Sequence, residues 1–188
     1  RSIAFRLAFT LATTLFLLLG SPLLLLPRRF AMAGLKCHGR TVIGLFRLIV
    51  GTGIEVRGRE RVPPGALLVA SKHQSAWDTF ALPTLFDDPA LVMKAELMRI
   101  PVYGWFSLKL GMIGIERQKG PAALRRMLKA AKARAAEGRQ VLIFPEGTRR
   151  PPGAPPDYKP GVVALYETLG VPCVPIALNS GHFWRRGG

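Results

Sequence analysis

The chain has 188 residues, of which 49% are hydrophobic, and it can therefore bury the core of one domain. Its 27 lysines and arginines against 11 aspartates and glutamates give a formal net charge of +16. That charge implies an anionic partner, such as nucleic acid, anionic lipid or a phosphorylated substrate. The two cysteines, Cys37 and Cys173, fit no metal or redox spacing, and with three scattered histidines they give a structural zinc site little support.

The N-terminal segment is a candidate membrane helix. Residues 7–26 carry no charge and would rise about 30 Å as one helix, enough to cross a hydrocarbon core. A Gly-Ser-Pro sequence at 20–22 interrupts the run, so a broken or shallowly inserted segment is an alternative. A signal peptide is another, because residues 31–34 offer a cleavage site. Arg28 and Arg29 follow directly, and basic residues after the run outnumber those before it, which predicts a cytoplasmic domain.

Beyond this segment, apolar runs alternate with helical stretches. Strands are predicted at residues 66–71, 89–94, 112–117, 140–147 and 171–181. Helices are predicted at residues 41–54, 76–86, 95–111, 121–137 and 160–170. This alternation predicts an α/β fold, with a mixed, largely parallel sheet covered by helices and an N-terminal hydrophobic membrane helix.

The expected organisation has two parts. Residues 1–30 form the membrane segment, and residues 31–188 form one α/β domain. The chain opens with Arg1 rather than Met and stops in Arg-Arg-Gly-Gly, so we expect truncation at both ends, including the C-terminus of the α/β domain.

The sequence KHQSAWD at 72–78 holds a candidate catalytic pair. His73 follows a predicted strand, at the carboxyl edge where open α/β sheets place their sites. Asp78 can meet it only if His73 precedes the first helical turn, with Ser71 as a candidate cap. Asp78 would then accept the Nδ1 proton and leave Nε2 free as a general base. The alternative is a structural hydrogen bond.

No nucleophile accompanies this pair in the sequence. Ser75 is close, but the residues around it lack the G-x-S-x-G turn that presents a catalytic serine. The simpler interpretation is that the nucleophile is a substrate hydroxyl, deprotonated by His73. The chemistry would then be direct transfer to an alcohol, without a covalent enzyme intermediate.

Three further blocks lie at the ends of predicted strands. FPEGTRR at 144–150 offers N–H groups at a glycine turn, a hydroxyl and a guanidinium, which suit a phosphate; a solvated turn is the alternative. GMIGIER at 111–117 ends in Glu116 and Arg117, for which a rim salt bridge is the alternative. VPIALN at 174–179 is apolar and could also be a buried core strand.

In this order, KHQSAWD, GMIGIER, FPEGTR and VPIAL resemble the motifs of the glycerolipid acyltransferases, most closely the 1-acyl-glycerol-3-phosphate (lysophosphatidic acid) acyltransferases. The resemblance covers roughly residues 66–181. Lys72 departs from the asparagine common before the histidine, and IGIER stands where F-x-x-R or I-D-R is usual. The first departure leaves the pair intact, and the second weakens the assignment of Glu116 but not of Arg117.

The resemblance implies a reaction. His73, oriented by Asp78, deprotonates the sn-2 hydroxyl of lysophosphatidic acid. The hydroxyl oxygen attacks the thioester of acyl-CoA or acyl carrier protein and gives phosphatidic acid, a step of phospholipid synthesis. The acyl thioester is a co-substrate, and neither a metal nor another cofactor is implied.

The resemblance also implies which residues hold the substrate. The contacts to the glycerol phosphate would come from Arg117, Glu146, Gly147, Thr148 and Arg149. We add Lys94, which ends a predicted strand, as a further phosphate contact. Val174, Pro175 and Ile176 would lie along the acyl or acceptor path.

The expected partners are membrane lipid, lysophosphatidic acid and an acyl-CoA or acyl carrier protein. The expected location is the cytoplasmic or inner membrane, with the active domain on its cytoplasmic side. One alternative is an acyltransferase for another acceptor, such as a lyso-ornithine lipid or glycerol 3-phosphate. Another is a non-enzymatic basic module that binds membrane or nucleic acid. We expect no nucleic acid partner, because the aromatic residues are not interleaved with the basic runs.

Overall fold

The chain begins with a hairpin of two helices in the computed structural model, which describes residues 1–184. Helix α1 spans Ser2–Leu19, a 3-10 turn spans Ser21–Leu24, and helix α2 spans Arg28–Val50. The chain reverses between the helices, where Pro22 and Pro27 lack the N–H that a continued helix needs. The apolar run at 7–26 is therefore not one continuous helix. It is broken after Leu19, as the alternative prediction of a broken segment has it.

Helix α2 is longer than the sequence pattern predicts. The helix predicted at 41–54 is the second half of α2 and ends earlier, because Gly51 adopts a left-handed conformation with a φ of 83°. The expected boundary at residue 30 falls in the first turn of α2. Within residues 1–184, α1 is the one helix long and apolar enough to cross a membrane, judged by length and composition.

Five strands form the sheet. They are β1 Leu67–Ser71, β2 Pro89–Lys94, β3 Ile113–Ile115, β4 Gln140–Ile143 and β5 Cys173–Ile176. Their order is β3-β2-β4-β1-β5, and every pairing is parallel. The prediction of an α/β fold is confirmed, with a sheet that is parallel throughout. Strands β4 and β5 are shorter than predicted, and β4 stops two residues before Pro145, which cannot donate a ladder hydrogen bond.

Four more helices follow α2 along the chain. They are α3 Trp77–Ala81, α4 Tyr103–Lys109, α5 Gly120–Ala136 and α6 Gly161–Leu169. Helices α5 and α6 bury Met127, Ala131 and Leu165 against one face. Leu82 and Phe86, in the turn after α3, pack on the other. The helices predicted at 76–86 and 95–111 are interrupted by prolines, and the first continues as a 3-10 turn at Leu82–Leu85.

The hairpin packs against α3. Gly39 of α2 touches the backbone of α3, and an added Cβ would lie 2.5 Å from the Phe80 carbonyl oxygen. At the other end of α2, Arg28 makes a two-pronged ion pair with Asp88, with N–O distances of 2.5 and 2.7 Å. The hairpin is thus fixed both to the helix that carries Asp78 and to the amino edge of the sheet.

Candidate active site

His73 and Asp78 meet directly after β1. The Nδ1 atom of His73 lies 3.0 Å from Oδ2 of Asp78, and the Asp78 side chain is fully buried. The same oxygen accepts the backbone N–H groups of Gln74 and Ser75 at 2.8 and 2.9 Å. The loop therefore folds around the carboxylate, which explains how a spacing of five residues brings the two side chains together.

The predicted cap at Ser71 is wrong. The Ser71 hydroxyl donates to the Lys72 carbonyl oxygen, one residue on, and does not reach α3. Instead, the Ser75 hydroxyl oxygen accepts the N–H of Trp77 at 3.1 Å. Ser75 is buried and its hydroxyl oxygen is occupied by this hydrogen bond, which agrees with the absence of a nucleophile elbow around it.

The imidazole of His73 is held on two sides. Its ring stacks on Phe144, with 4.0 Å between ring centroids and an interplanar angle of 20°. Nδ1 faces Asp78, and Nε2 has no hydrogen-bond partner among the described residues. His73 lines the large cavity of the molecule, so Nε2 is the nitrogen that a substrate can reach.

The FPEGTR loop lies beside the His73 loop. The N–H of Arg150 donates to the His73 carbonyl oxygen at 2.8 Å. Gly147 has a φ of 65°, and its N–H closes a turn to the Phe144 carbonyl oxygen at 2.9 Å. Gly147 therefore contributes the shape of the turn, since its N–H is already used. Thr148 and Arg149 follow it into the cavity wall.

The prediction that Glu146 contacts a phosphate needs correction. Its carboxylate is buried and accepts the Lys72 ammonium at 2.7 Å, with the His73 N–H at 3.5 Å. A second anion beside this carboxylate would be repelled. Glu146 instead fixes the start of the His73 loop through Lys72, the residue that departs from the family pattern.

One cavity of about 1580 Å³ connects these residues with the hairpin. This volume exceeds the roughly 300–1,000 Å³ of common small-molecule pockets. Much of its wall is apolar, with side chains from α1, α2, α4 and α5, including Leu15, Phe16, Phe106 and Leu124. Lys94, Arg149 and Lys159 bring positive charge to the same cavity. A ligand with a long apolar chain and an anionic group fits this wall.

Burial shifts the pKa of two side chains in the cavity wall. It lowers the pKa of His38, whose Nε2 lies 3.0 Å from the Thr13 hydroxyl oxygen. It raises the pKa of Tyr103, and a hydrogen bond with Ser107 opposes that shift. Both shifts favour the uncharged forms at neutral pH, which suits an apolar chain.

Two groups of predicted site residues do not reach this cavity or are not described. Val174, Pro175 and Ile176, predicted along the acyl or acceptor path, lie on the edge strand β5 and line a separate cleft of about 570 Å³, so the structure does not bring them to the cavity that contains His73. Val174 and Ile176 pack on the core beside Leu67. Arg117 begins a 3-10 turn, but its side chain lies outside the described part of the structure.

Glu116 is part of a rim cluster. Its carboxylate lies 2.9 to 3.5 Å from Arg126, Lys119 and Arg99. The hydrogen bond from Lys119, followed by the charges around it, lowers the pKa of Glu116. The rim salt bridge left open by the sequence is therefore present. Within residues 1–184, the structure brings no three His, Cys, Asp or Glu side chains together as a metal site.

Two further residues near the site are not identified by any local sequence motif. Ser180 donates its hydroxyl to Oδ1 of Asp78 from 102 residues away in the sequence. Lys159 reaches the cavity because its N–H bonds to the Pro145 carbonyl oxygen at 2.9 Å. Sequence spacing cannot identify either one, because each depends on the return of a distant segment.

Comparison with known proteins identifies the family of the chain. The family model described as Acyltransferase matches residues 53–179. A 1-acyl-sn-glycerol-3-phosphate acyltransferase from Pseudomonas aeruginosa is 40% identical over 149 residues, which cover 79% of this chain and 58% of that protein. The 1-acyl-sn-glycerol-3-phosphate acyltransferase alpha from Mus musculus is 30% identical over 136 residues, covering 71% of this chain and 48% of the mouse protein.

A solved structure shares the fold. The 1-acyl-sn-glycerophosphate (LPA) acyltransferase PlsC from Thermotoga maritima superimposes with a TM-score of 0.77 at 22% sequence identity. The match covers 100% of this chain and 79% of the Thermotoga chain. Compared with its Pseudomonas relative, the chain spans a little over half of that protein's length. On the match over residues 53–179, the chain belongs to the acyltransferase family.

Proposed function

We propose that this protein transfers an acyl group from an acyl thioester to the sn-2 hydroxyl of 1-acyl-glycerol-3-phosphate and forms phosphatidic acid. The donor is an acyl-CoA or an acyl carrier protein. The observation that carries the proposal is the imidazole of His73, oriented by Asp78 at 3.0 Å, in a cavity with both apolar and cationic walls. The Pseudomonas and mouse relatives are 1-acyl-sn-glycerol-3-phosphate acyltransferases, which supports the same reaction class.

The proposed mechanism uses His73 as base and then as acid. Nε2 takes the proton of the sn-2 hydroxyl while the hydroxyl oxygen attacks the thioester carbonyl carbon. The tetrahedral intermediate collapses, the carbon–sulfur bond breaks, and the thiolate receives the proton from the imidazolium. Asp78 accepts the hydrogen bond from the Nδ1–H group of His73 throughout and stabilises the imidazolium charge.

The proposed phosphate contacts are Arg149, Thr148 and Lys94. Arg149 and Lys94 have no ion-pair partner among the described residues, and both line the cavity that contains His73. An arginine can bind a phosphate through two parallel hydrogen bonds, and the hydroxyl of Thr148 can donate a third. Arg117 retains its proposed role on the family resemblance alone.

The proposed location is the cytoplasmic face of the cytoplasmic or inner membrane, with the hairpin as the attachment. Helix α1 exposes a stripe of large apolar side chains at Ile3, Leu7, Leu11, Leu15 and Leu18. Transfer of this stripe from water to lipid is favourable, because each Å² of apolar surface removed from water contributes about 25 cal/mol. Arg28 and Arg29 at the start of α2 would lie near anionic head groups.

The test is acceptor-dependent thiol release from acyl-CoA and acyl carrier protein by the detergent-solubilised protein. We expect release with lysophosphatidic acid and a fall of about 10²- to 10⁴-fold in kcat for His73→Ala. His182→Ala is the matched control, because His182 is exposed outside the cavity, and it should keep wild-type activity. Equal release by wild type and His73→Ala would refute the mechanism.

An acceptor panel separates the alternatives. Lysophosphatidic acid should react faster than 1-acylglycerol, a lyso-ornithine lipid or glycerol 3-phosphate, because only lysophosphatidic acid carries both the phosphate and the acyl chain of the proposed acceptor. Preference for another acceptor would keep the family and change the substrate. Salt-dependent retardation of DNA without thioester cleavage would instead favour a binding module.

A further inference from the structure

The carboxylate of Asp78 has a hydrogen-bond donor from outside its own loop. The Ser180 hydroxyl donates to Oδ1 of Asp78 at 2.5 Å, and both residues are buried. The next N–H, of Gly181, donates to the Gln74 side-chain oxygen at 3.2 Å. The turn Ser180–His182 therefore contacts the loop that carries His73 at two residues, Gln74 and Asp78.

Ser180 completes the set of donors around this carboxylate. Oδ2 accepts from His73, Gln74 and Ser75, all within the local loop. Among the described residues, Ser180 is the one hydrogen-bond donor to Oδ1. The backbone N–H groups of Gln74 and Ser75 and the hydroxyl of Ser180 all donate, so the carboxyl oxygens of Asp78 act as acceptors toward them. Without Ser180, Oδ1 would be a buried oxygen with no donor, and the carboxylate could rotate away from Nδ1.

The same turn is anchored in the hairpin. The N–H of Trp184 donates to the Ser180 carbonyl oxygen at 3.0 Å, so the two residues belong to one turn of chain. The Trp184 ring lies 4.9 Å from Phe5 and 5.4 Å from Phe9 of α1, centroid to centroid. It also stacks on Phe46 of α2 at 6.1 Å. The segment Ser180–Trp184 is thus held at one end by the carboxylate of Asp78 and at the other end by the hairpin.

This turn has little room to move. A Cβ added at Gly181 would lie 2.9 Å from the Gln74 Cβ and 3.0 Å from Pro152. Close packing on these two sides means that a shift at Trp184 must be transmitted to Ser180 or absorbed by strain.

We propose that Ser180 is a positioning residue for the His73–Asp78 pair, and that Trp184 couples the packing of the hairpin to this position. The proposal rests on the proposed acyl transfer, because it assigns Ser180 an effect on kcat. The hydroxyl of Ser180 fixes the carboxylate, the carboxylate fixes Nδ1, and Nε2 then points at the acceptor hydroxyl. Because Ser180 does not touch the substrate, its loss lowers kcat and leaves KM unchanged.

The first experiment compares Ser180→Ala with Ser180→Thr in the full chain. We expect a fall of about ten- to a hundredfold in kcat for the alanine variant, with KM for lysophosphatidic acid within about twofold of wild type. Threonine keeps the hydroxyl and should restore kcat to within a few-fold of wild type. An unchanged kcat in Ser180→Ala, or an effect confined to KM, would overturn the proposal.

A spectroscopic reading separates positioning from folding. The chain has only three histidines, so the Nδ1 proton of His73 can be assigned by labelling histidine with ¹⁵N. We expect this strongly deshielded resonance in wild type and Ser180→Thr, and its broadening or loss in Ser180→Ala. An unaltered resonance in a folded Ser180→Ala would show that Ser180 is only structural. If wild type cleaves no thioester, the acyl-transfer proposal fails, whereas this resonance still tests the positioning.

The coupling has its own pair of variants. Trp184→Ala should lower kcat several-fold and broaden the His73 resonance, while Trp184→Phe, which keeps an aromatic ring, should do so less. Phe183→Ala is the matched control, because Phe183 is the neighbouring aromatic residue and is half exposed. Equal effects of Trp184→Ala and Phe183→Ala would contradict a specific route through Trp184.

Discussion

Asp78 and Asp88 lie close in the sequence and at opposite edges of the parallel sheet. Asp78 follows β1, is fully buried, and accepts from an imidazole, a hydroxyl and two backbone N–H groups. Asp88 precedes β2 and faces two guanidinium groups, those of Arg28 and Arg139. The first carboxylate thus has one titratable partner that can pass on a proton, and the second has partners that remain charged.

The difference shows how one residue type serves two purposes. Arginine stays protonated at every physiological pH, so the Asp88 cluster can only hold parts together. It joins α2, through Arg28, to the sheet and to the buried side chain of Arg139. Histidine gains and loses its proton near neutral pH, so the Asp78 cluster can orient a base. We expect Asp78 to determine rate and Asp88 to determine stability.

The largest expected effect is that of Asp78→Asn. Asparagine has nearly the same shape but places an amide N–H where a carboxylate oxygen accepted, which disfavours the required tautomer of His73. We expect kcat to fall by about 10²- to 10⁴-fold while the folded protein persists. Thiol release and a thermal unfolding curve on the same sample would measure both quantities. A fall in kcat of less than about tenfold would mean that Asp78, like Asp88, serves mainly to stabilise the fold.

Asp88→Asn should give the reverse pattern. The change removes the charge that compensates Arg139, which is only 1% exposed, and weakens the Arg28 tether. We expect the free energy of unfolding to fall by about 1–3 kcal/mol, with kcat per folded molecule within about twofold of wild type. Urea unfolding in detergent, paired with kcat, measures this.

Glu55→Gln is the control for Asp88→Asn, because Glu55 pairs with Arg57 on the exposed surface, and this substitution should change neither stability nor rate. A large loss of kcat in a folded Asp88→Asn would break the contrast between the two carboxylates. It would mean that a displacement of α2 affects the geometry of the His73–Asp78 pair by a path other than Ser180–Trp184.

The contrast between the two aspartates also separates what the sequence could predict from what it could not. The His73–Asp78 pair was predictable because both residues lie in one loop of seven residues, whose own N–H groups close around the carboxylate. The order of apolar runs and helices likewise predicted the α/β fold. By contrast, Ser180 is brought to Asp78 by the path of β5 and the turn after it. No local pattern contains that information.

A sequence motif identifies the types of residue at a site more reliably than the direction in which each side chain points. Glu146 lies in the FPEGTR block, yet its carboxylate turns to Lys72, because an unpaired buried carboxylate would be costly. The VPIAL block is apolar, as an acyl path would be, but β5 is an edge strand and places Val174 and Ile176 on the core beside Leu67. In each case the neighbour that decides the direction is distant in the sequence.

The smallest expected effect is the pH dependence of the stability that Asp88 contributes. It separates the role of the Asp88 charge from the role of its hydrogen-bond geometry. Burial alone would raise the pKa of Asp88, but the hydrogen bond from Arg28 and the charges of Arg139, Arg28 and Lys36 outweigh it and lower the pKa. Glu137 is the other carboxylate near Arg139. A carboxyl group whose pKa is lower in the folded state contributes stability above its unfolded pKa, and this contribution is lost as pH falls through the folded pKa.

The window follows from the ordinary aspartate pKa of about 3.9. Wild type should hold the Asp88 contribution from neutral pH down to about pH 4 and lose it below that, as Asp88 becomes protonated. Asp88→Asn lacks the group, so the stability difference between the two proteins should be constant above about pH 5 and shrink on further acidification. The comparison cancels the other acidic residues, which titrate in both proteins. A difference that stays constant to pH 3 would mean that Asp88 acts through the shape of its hydrogen bonds rather than through its charge.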